Sequence, residues 1–233
     1  MIRSLSESRR RYHCEHSLFS VIDNEASAYW LGFFAADGSV SHKAEGGQPV
    51  ISLTIQSADV THLRAFQKAM RCVHPIRTYL YGRRRYPAVR LAFASGPMAA
   101  DLLRLGVRPQ KRHGLTFPDI PAALLYHFMR GYFDGDGSIT PGGVKNPSFT
   151  VVGYEAFVKE YQRILIRECD LNLTRLAWRF GTPSLVYVGR TQLQRIRAFL
   201  YRDATVYLRR KKDRFDALER AHTSSWLAPS TVK

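Results

Sequence analysis

The stretch YWLGFFAADGS at residues 29–39 and its later copy FMRGYFDGDGS at residues 128–138 decide the fold of this chain. Both have a glycine, two aromatic residues, two variable positions and then Asp-Gly-Ser. Gly32 aligns with Gly131 and Asp37 with Asp136, so the repeat has a period of 99 residues. A repeat at a fixed period indicates that the chain is built from two similar halves.

The same order of predicted elements surrounds each copy. In each half a helix ends at the motif and is followed by two strands, a helix, two strands and a helix. The first half has a strand over 50–55, a helix over 59–70, a strand pair over 77–93 and a helix over 97–105. The second half has a strand over 148–152, a helix over 154–168, a strand pair over 173–188, a helix over 191–201 and a further helix over 206–221. The sequence therefore predicts an α+β fold of tandem αββαββα repeats.

The repeat also sets the expected domain boundaries. The first repeat is expected over 23–115 and the second over 116–221, joined by the proline-rich stretch 109–121. Residues 1–22 and 222–233 have no clear periodicity, so both are predicted to be tails.

Small residues lie on one face of each motif helix. They recur at intervals of four: Ala28, Gly32 and Ala36 in the first copy, Gly131 and Gly135 in the second. A glycine inside a helix costs about 0.5–1 kcal/mol relative to alanine, so close approach of two helix backbones is a reasonable cause. If the two helices pack together, Asp37 and Asp136 lie side by side.

Two carboxylates at adjacent helix C-termini are an unusual arrangement. Each faces the negative end of a helix dipole, and each repels the other. A hard divalent cation relieves both effects, because Mg²⁺ prefers oxygen ligands and often takes only one or two carboxylates. A single Asp-Gly pair would indicate only a turn after a helix. Two copies in register favour a metal site suited to phosphodiester hydrolysis.

The charge balance indicates a polyanionic partner. The 233 residues contain 35 Lys and Arg against 19 Asp and Glu, a net charge of +16, and 45% are hydrophobic. Nucleic acid is the commonest partner of such a basic globular protein, although heparin-like or ribosomal partners stay open. A membrane is not expected, because no run of about 18 apolar residues occurs. No signal peptide is evident, so an intracellular location is expected.

The three cysteines, Cys14, Cys72 and Cys169, are far apart in sequence. Their spacing indicates neither a CxxC site nor a disulfide framework, and free thiols in a reducing compartment are the preferred interpretation. The run His13-Cys14-Glu15-His16 resembles half of a metal site, but no second ligand pair at suitable spacing accompanies it.

Basic and aromatic residues crowd the predicted strand pairs. A two-stranded ribbon fits the DNA major groove, and arginine can bind guanine through two hydrogen bonds. The alternative is a solvated charged hairpin. The candidate DNA-binding residues are Arg77, Tyr79, Tyr81, Arg83, Arg84, Arg85, Arg90, Arg175, Trp178, Arg179, Tyr187 and Arg190, with Lys43 and Lys145 in the shorter first hairpins. The hairpins of the two halves differ in sequence, which predicts an asymmetric target.

These residues resemble the LAGLIDADG homing endonucleases in their single-chain, two-repeat form, with Trp30–Gly38 and Met129–Gly137 at the nine motif positions. The resemblance implies a pseudo-twofold fold with the motif helices at the central interface and antiparallel sheets forming a DNA-binding saddle. It implies that Asp37 and Asp136 are catalytic metal ligands, joined by the carbonyls of Ala36 and Gly135. At the sixth motif position Asp134 is acidic whereas Ala35 is not, and this position is not the metal ligand in the family.

The resemblance further implies a basic residue near each active site, for which Lys111, Lys211 and Arg210 are the candidates. Gln56 and Asp59 occupy a turn where the family often has a polar, water-positioning side chain. The implied function is that of a monomeric, Mg²⁺-dependent, site-specific endonuclease of double-stranded DNA, with Mn²⁺ as the alternative ion and intron homing as the context. An RNA maturase that binds its host intron RNA, or a DNA-binding regulator without catalysis, are the alternatives.

Overall fold

The computed structural model describes residues 12–41, 47–107, 114–140 and 146–226. The helices are α1 Glu25–Asp37, α2 Val60–Ala69, α3 Gly96–Arg104, α4 Leu125–Asp136, α5 Glu155–Cys169, α6 Arg190–Leu200 and α7 Arg209–Trp226. The strands are β1 Gly38–Ser41, β2 Val50–Gln56, β3 Arg77–Tyr81, β4 Tyr86–Ala94, β5 Gly137–Ile139, β6 Ser148–Val152, β7 Ala177–Arg179 and β8 Thr182–Val188.

The two halves have the same topology. Each places its strands in a four-stranded antiparallel sheet, in the order β1-β2-β4-β3 in the first half and β5-β6-β8-β7 in the second. In both halves the motif helix runs directly into the first strand. The predicted α+β architecture of tandem αββαββα repeats is therefore confirmed, and α7 follows the second repeat as the predicted further helix.

Each sheet has one buried face and one outer face. On β2 and β4 the odd-numbered residues, such as Leu53 and Leu91, are buried in the core. The even-numbered residues, such as Thr54 and its cross-strand partner Arg90, point to the opposite side because successive side chains of a strand alternate. That side is called the outer face below, and Arg77 shares it because it pairs with Arg90.

Helices α1 and α4 pack against each other at the centre of the molecule. A Cβ atom at Gly32 would lie 2.0 Å from the backbone oxygen of Phe128, and one at Gly131 would lie 2.0 Å from the backbone oxygen of Tyr29. Each glycine thus gives the other helix's backbone the room that a side chain would occupy. The predicted close approach is confirmed, and it brings the two helix C-termini together.

A buried ion pair at the other end of these helices was not anticipated from the sequence. Arg130 is fully buried in α4, at the position equivalent to Leu31 of α1. Its guanidinium donates to Glu25 Oε1 at 2.6 Å and to the carbonyls of Leu200 and Val206 at 2.8 and 2.9 Å. Burying a charge is costly unless it is paired and hydrogen-bonded, and Arg130 meets both conditions. The pair fixes α1, α4 and the segment before α7 to one another.

The prediction that residues 1–22 form a tail is wrong for residues 12–22. Phe19 is fully buried and Cys14 nearly so. The guanidinium of Arg104 donates to the carbonyls of Phe19 and Ser20. This N-terminal strap, as residues 12–22 are called below, packs on the first half although it forms neither helix nor strand. In the described parts of the chain, no helix combines the length and apolar character needed to cross a membrane.

Candidate functional site

Asp37 and Asp136 are the last residues of α1 and α4, and both line one cavity of about 600 Å³. A Cβ atom at Gly135 would lie 2.3 Å from Ala36 Cβ and 3.3 Å from Asp37 Oδ2, so the two helix ends are in contact. Both aspartates are half-buried. The juxtaposition expected from the repeat is therefore present in the structure.

Apart from Asp134 and Gly135 in the last turn of α4, the rest of the cavity wall comes from the first half and from the start of α7. It includes the end of β2, the tip of the β3–β4 hairpin and Arg210, but no residue of the second sheet. The two halves therefore contribute unequally to the surroundings of the aspartate pair.

A polar cluster of Gln56, Asp59 and Arg210 lies at the edge of this cavity. The Asp59 carboxylate accepts a hydrogen bond from Gln56 Nε2 at 2.7 Å and one from Arg210 Nε at 3.0 Å. Asp59 is almost enclosed, whereas the Arg210 side chain is 41% exposed. Arg210 belongs to α7, after the second repeat, but its ion pair is with the first half.

The second half has no such cluster. Leu53 pairs with Gly38 in the first sheet, and Val151 pairs with Gly137 in the second. By this register the residues equivalent to Gln56 and Asp59 are Tyr154 and Phe157, and Phe157 is buried in the core. The second copy therefore has aromatic side chains where the first has polar ones.

Lys211, one of the basic residues expected near the active site, is buried against the last turn of α4. Its side chain is 2% exposed, and its Nζ donates to the carbonyls of Phe133 and Asp134 at 2.6 Å and of Gly135 at 3.1 Å. Burial lowers the pKa of Lys211 to about 8. Lys211 therefore caps the last turn of α4, and the nearby carboxylates of Asp134, Asp37 and Asp136 oppose the lowering of its pKa.

Asp134 is the buried acid of the sixth motif position. It accepts hydrogen bonds from the Tyr29 hydroxyl and the Leu208 N–H, both at 2.7 Å. Burial raises the pKa of Asp134 to about 6, and the nearby ammonium of Lys211 opposes this shift. Asp134 therefore ties α4 to α1 and to the start of α7, which is a structural role.

Several candidate DNA-binding residues lie on or beside the outer face of the first sheet. Arg77 and Arg90 face each other across β3 and β4, and Arg90 donates to Ser52 Oγ at 3.0 Å. Tyr79 and Tyr81 reach the wall of the cavity. The turn between β3 and β4 exposes three consecutive arginines, Arg83, Arg84 and Arg85. In the second sheet Arg179 pairs with Thr182, at an exposed end of the hairpin.

Four candidates of the second half are placed elsewhere, which corrects the sequence interpretation. Tyr187 is fully buried, and its hydroxyl donates to the carbonyl of Asn172. Trp178 and Arg175 line a groove against α5, on the side of the sheet opposite the outer face. Arg190 starts α6 and donates to the carbonyl of Leu218. The exposed tryptophan and the basic residues fitted a DNA-facing hairpin by composition, but the strand register turns Trp178 toward α5, whereas Arg175 and Arg190 lie outside the strands.

Three further candidates, Lys43, Lys111 and Lys145, lie outside the described residues. Within the described ranges, no group of three or more His, Cys, Asp and Glu side chains has the geometry to hold a metal ion. Asp37 and Asp136 are a pair of carboxylates, so a cation there would need ligands from outside these side chains.

Comparisons with known proteins agree with this geometry. Residues 24–71 match the model of the LAGLIDADG-like domain. The crystal structure of the I-SmaMI LAGLIDADG homing endonuclease bound to cleaved DNA is 12% identical, with a TM-score of 0.59, and the alignment covers 90% of this chain and 93% of that one. The chain has the LAGLIDADG homing endonuclease fold.

Two further structures with this fold are similar over nearly their whole length. I-SmaMI bound to its uncleaved DNA target in the presence of calcium ions is 12% identical, with a TM-score of 0.60 and coverage of 89% and 95%. The LAGLIDADG homing endonuclease I-GzeII in complex with its DNA target is 12% identical, with a TM-score of 0.60 and coverage of 90% and 94%. No curated protein sequence matches the chain.

Proposed function

We propose that this protein is a monomeric, metal-dependent endonuclease that cuts double-stranded DNA at a long asymmetric site. The observation that carries the proposal is the pair of aspartates, Asp37 and Asp136, held together by the reciprocal glycine contact of α1 and α4. Because one chain supplies both halves of the site, no second subunit is needed. The LAGLIDADG-like domain and the DNA-bound proteins of the same fold support the assignment.

The donor set fits a hard divalent cation such as Mg²⁺. Asp37 and Asp136 provide two carboxylates at the negative ends of two helix dipoles, and such a site favours a cation. The carbonyl of Gly135 already accepts a hydrogen bond from Lys211, which leaves its second lone pair for another partner. When bound, the cation would supply an activated water and would stabilise charge on phosphate oxygens.

The protein's own side chains would do three things in this reaction. Lys211 would hold the last turn of α4 in place, so that Asp136 keeps its position relative to Asp37. Arg210, oriented by Asp59, presents an exposed guanidinium at the cavity edge, where it can bind a phosphate group and stabilise developing negative charge. Gln56 keeps the Asp59 carboxylate oriented toward Arg210.

DNA would lie across the outer faces of the sheets. The outer face of the first sheet carries Arg77 and Arg90, and the three arginines at residues 83–85 extend from its hairpin turn. The net charge of +16 favours binding to phosphates over the whole surface. Because the second hairpin has Arg179 but turns Trp178 and Arg175 away, the two halves would contact DNA differently and read different half-sites.

The decisive experiment compares the wild-type protein with Asp37→Asn and Asp136→Asn on a library of DNA duplexes. The wild type should cut both strands of one target in Mg²⁺. Each variant should bind that target in Ca²⁺ with wild-type affinity but should lose cleavage by a factor of at least about 10³. Asp23→Asn, the same change at an exposed aspartate before the start of α1, is the matched control and should cut normally.

Two results would oppose the proposal. Cleavage by both asparagine variants at the wild-type rate would reject the metal assignment. DNA affinity that does not change between low and moderate salt would reject the polyanion assignment, because release of counterions makes phosphate contacts steeply salt-dependent.

A further inference from the structure

Two backbone hydrogen bonds place Cys14 of the N-terminal strap opposite Cys72. The N–H of Glu15 donates to the carbonyl of Met70 at 2.9 Å, and the N–H of Val73 donates to the carbonyl of His13 at 2.8 Å. These bonds lie on either side of the two cysteines, so Cys14 and Cys72 face each other as a non-hydrogen-bonded pair of two antiparallel segments. Between Met70 and Cys72 the second segment has one additional residue, Arg71, which has φ 44° and forms a bulge.

This position is the one at which antiparallel backbones come closest. The Cα atoms of a non-hydrogen-bonded pair are about 4.5 Å apart, and a disulfide bond needs a Cα separation of about 4.4–6.8 Å. The two thiols are close enough to shift each other's pKa. Both cysteines are buried in the same hydrophobic core, with 5% and 6% of their surface exposed.

The two thiols are chemically unequal. The pKa of Cys72 is lowered to about 7 by the neighbouring Cys14 thiol; burial opposes this shift, and the backbone N–H of His74 adds to it. The pKa of Cys14 is raised by the same thiol contact and by burial. The third cysteine, Cys169, lies alone in the second half, and burial raises its pKa to about 12. A thiolate is the reactive form of cysteine, so Cys72 is the better nucleophile of the three.

We propose that Cys14 and Cys72 are a modification site that forms an intramolecular disulfide with small-molecule disulfides such as oxidised glutathione. The Cys72 thiolate attacks one sulfur of the oxidant, whose S–S bond breaks and releases one glutathione thiolate. The Cys14 thiol then loses its proton and attacks the Cys72 sulfur of the mixed disulfide, releasing the second glutathione. Two protein thiols are oxidised, and one glutathione disulfide is reduced to two thiols.

The product would fasten the N-terminal strap to the first half. The strap contributes Phe19 to the core, and at present it is held by non-covalent contacts alone in the described part of the chain. Closing a loop of roughly 60 residues restricts the unfolded chain strongly, so the oxidised protein should melt about 5–10 °C higher than the reduced protein. Access of the oxidant to both buried sulfurs requires local opening of the strap, so the reaction should be slow.

The test treats the full chain with oxidised glutathione and maps the disulfides by peptide mass spectrometry without reduction. The expected result is one cross-linked peptide pair that joins Cys14 to Cys72, with Cys169 still a free thiol. Cys72→Ser should show no glutathione adduct at Cys14, whereas Cys14→Ser should stop at the mixed disulfide on Cys72. Cys169→Ser is the matched control and should form the cross-link as the wild type does.

Three results would overturn the proposal. They are a stable glutathione adduct on wild-type Cys72 without a cross-link, a disulfide between two chains, and full retention of all three thiols after prolonged oxidation. The mapping of the wild-type protein decides the question even if a serine variant folds poorly.

Discussion

Replacing Gly135 by alanine tests whether the packing of α1 against α4 sets the geometry of the aspartate pair. The new Cβ would lie 2.3 Å from Ala36 Cβ. Two carbon atoms in ordinary contact are about 3.5–4.0 Å apart, so the helix ends must separate by about 1.5 Å. Asp37 and Asp136 are the next residues of these two helices, and this separation would move their carboxylates apart.

The expected effect on activity is larger than the effect on stability. Overpacking costs about 1–3 kcal/mol, and the higher helix propensity of alanine returns up to about 1 kcal/mol. We therefore expect a loss of about 1–2 kcal/mol in the free energy of unfolding, measured with urea. A displacement of about 1 Å in a catalytic group can lower the rate about 10²-fold, so DNA cleavage should fall by that factor.

The neighbouring residue offers a matched rescue. Ala36→Gly removes the atom that the new Cβ would meet, so the double variant Ala36→Gly/Gly135→Ala should regain most of the lost activity. Ala36→Gly alone should change cleavage little. If Gly135→Ala cuts DNA within about twofold of the wild type, or if the double variant is as inactive as the single one, the helix contact does not control the site.

Three further predictions concern buried charge and the position of the DNA. Burial lowers the pKa of His62 from 6.5 to about 4, so the folded state binds fewer protons than the unfolded state between these values, and stability should fall as the pH drops through this window. Between pH 7 and pH 4.5 the free energy of unfolding, measured with urea, should fall by about 2 kcal/mol more in the wild type than in His62→Gln. An equal fall in both proteins would contradict this. Arg130→Leu should lose about 3–5 kcal/mol of unfolding free energy because the Glu25 carboxylate loses its arginine partner and keeps only its contacts with Thr205, Val206 and His127, and calorimetry of this variant and of Arg130→Leu/Glu25→Gln should show partial recovery in the double variant. Arg90→Ala should weaken DNA binding about tenfold in a fluorescence titration whereas Trp178→Ala should not, and equal losses would mean that DNA also contacts the α5 side of the second sheet.

The sequence was sufficient for the fold and for the centre of the site because both depend on local, periodic signals. The spacing of Gly32 and Gly131 within apolar helices indicated close packing, and the common register of the two copies placed Asp37 beside Asp136. Alternation of apolar residues identified the longer strands, and β6 begins and ends where it was predicted.

The remaining site residues depend on register and on contacts between distant segments. A shift of one residue in the strand register would exchange the faces on which Trp178 and its neighbours lie, and composition does not specify this register. Lys211 was expected near the site from its distance along the chain after Asp136, but that distance does not specify its contacts with the carbonyls of the last turn of α4. Arg130 gave a usable signal, because a charged residue within an apolar motif helix must have a buried partner. Its partner, Glu25, was not identified from sequence.

The contact between α1 and α4 also has a consequence during synthesis. Helix α1 is apolar on nearly all sides, and its closest partner is about 100 residues further along the chain. At about 5–20 residues per second, a ribosome would need on the order of 5–20 s to deliver α4 after α1. During this interval the first half has no backbone to fill the space beside Gly32, and the face of α1 that packs against α4 stays exposed. We therefore expect a truncated chain that ends before α4 to bind chaperones or to aggregate, although it contains a complete sheet.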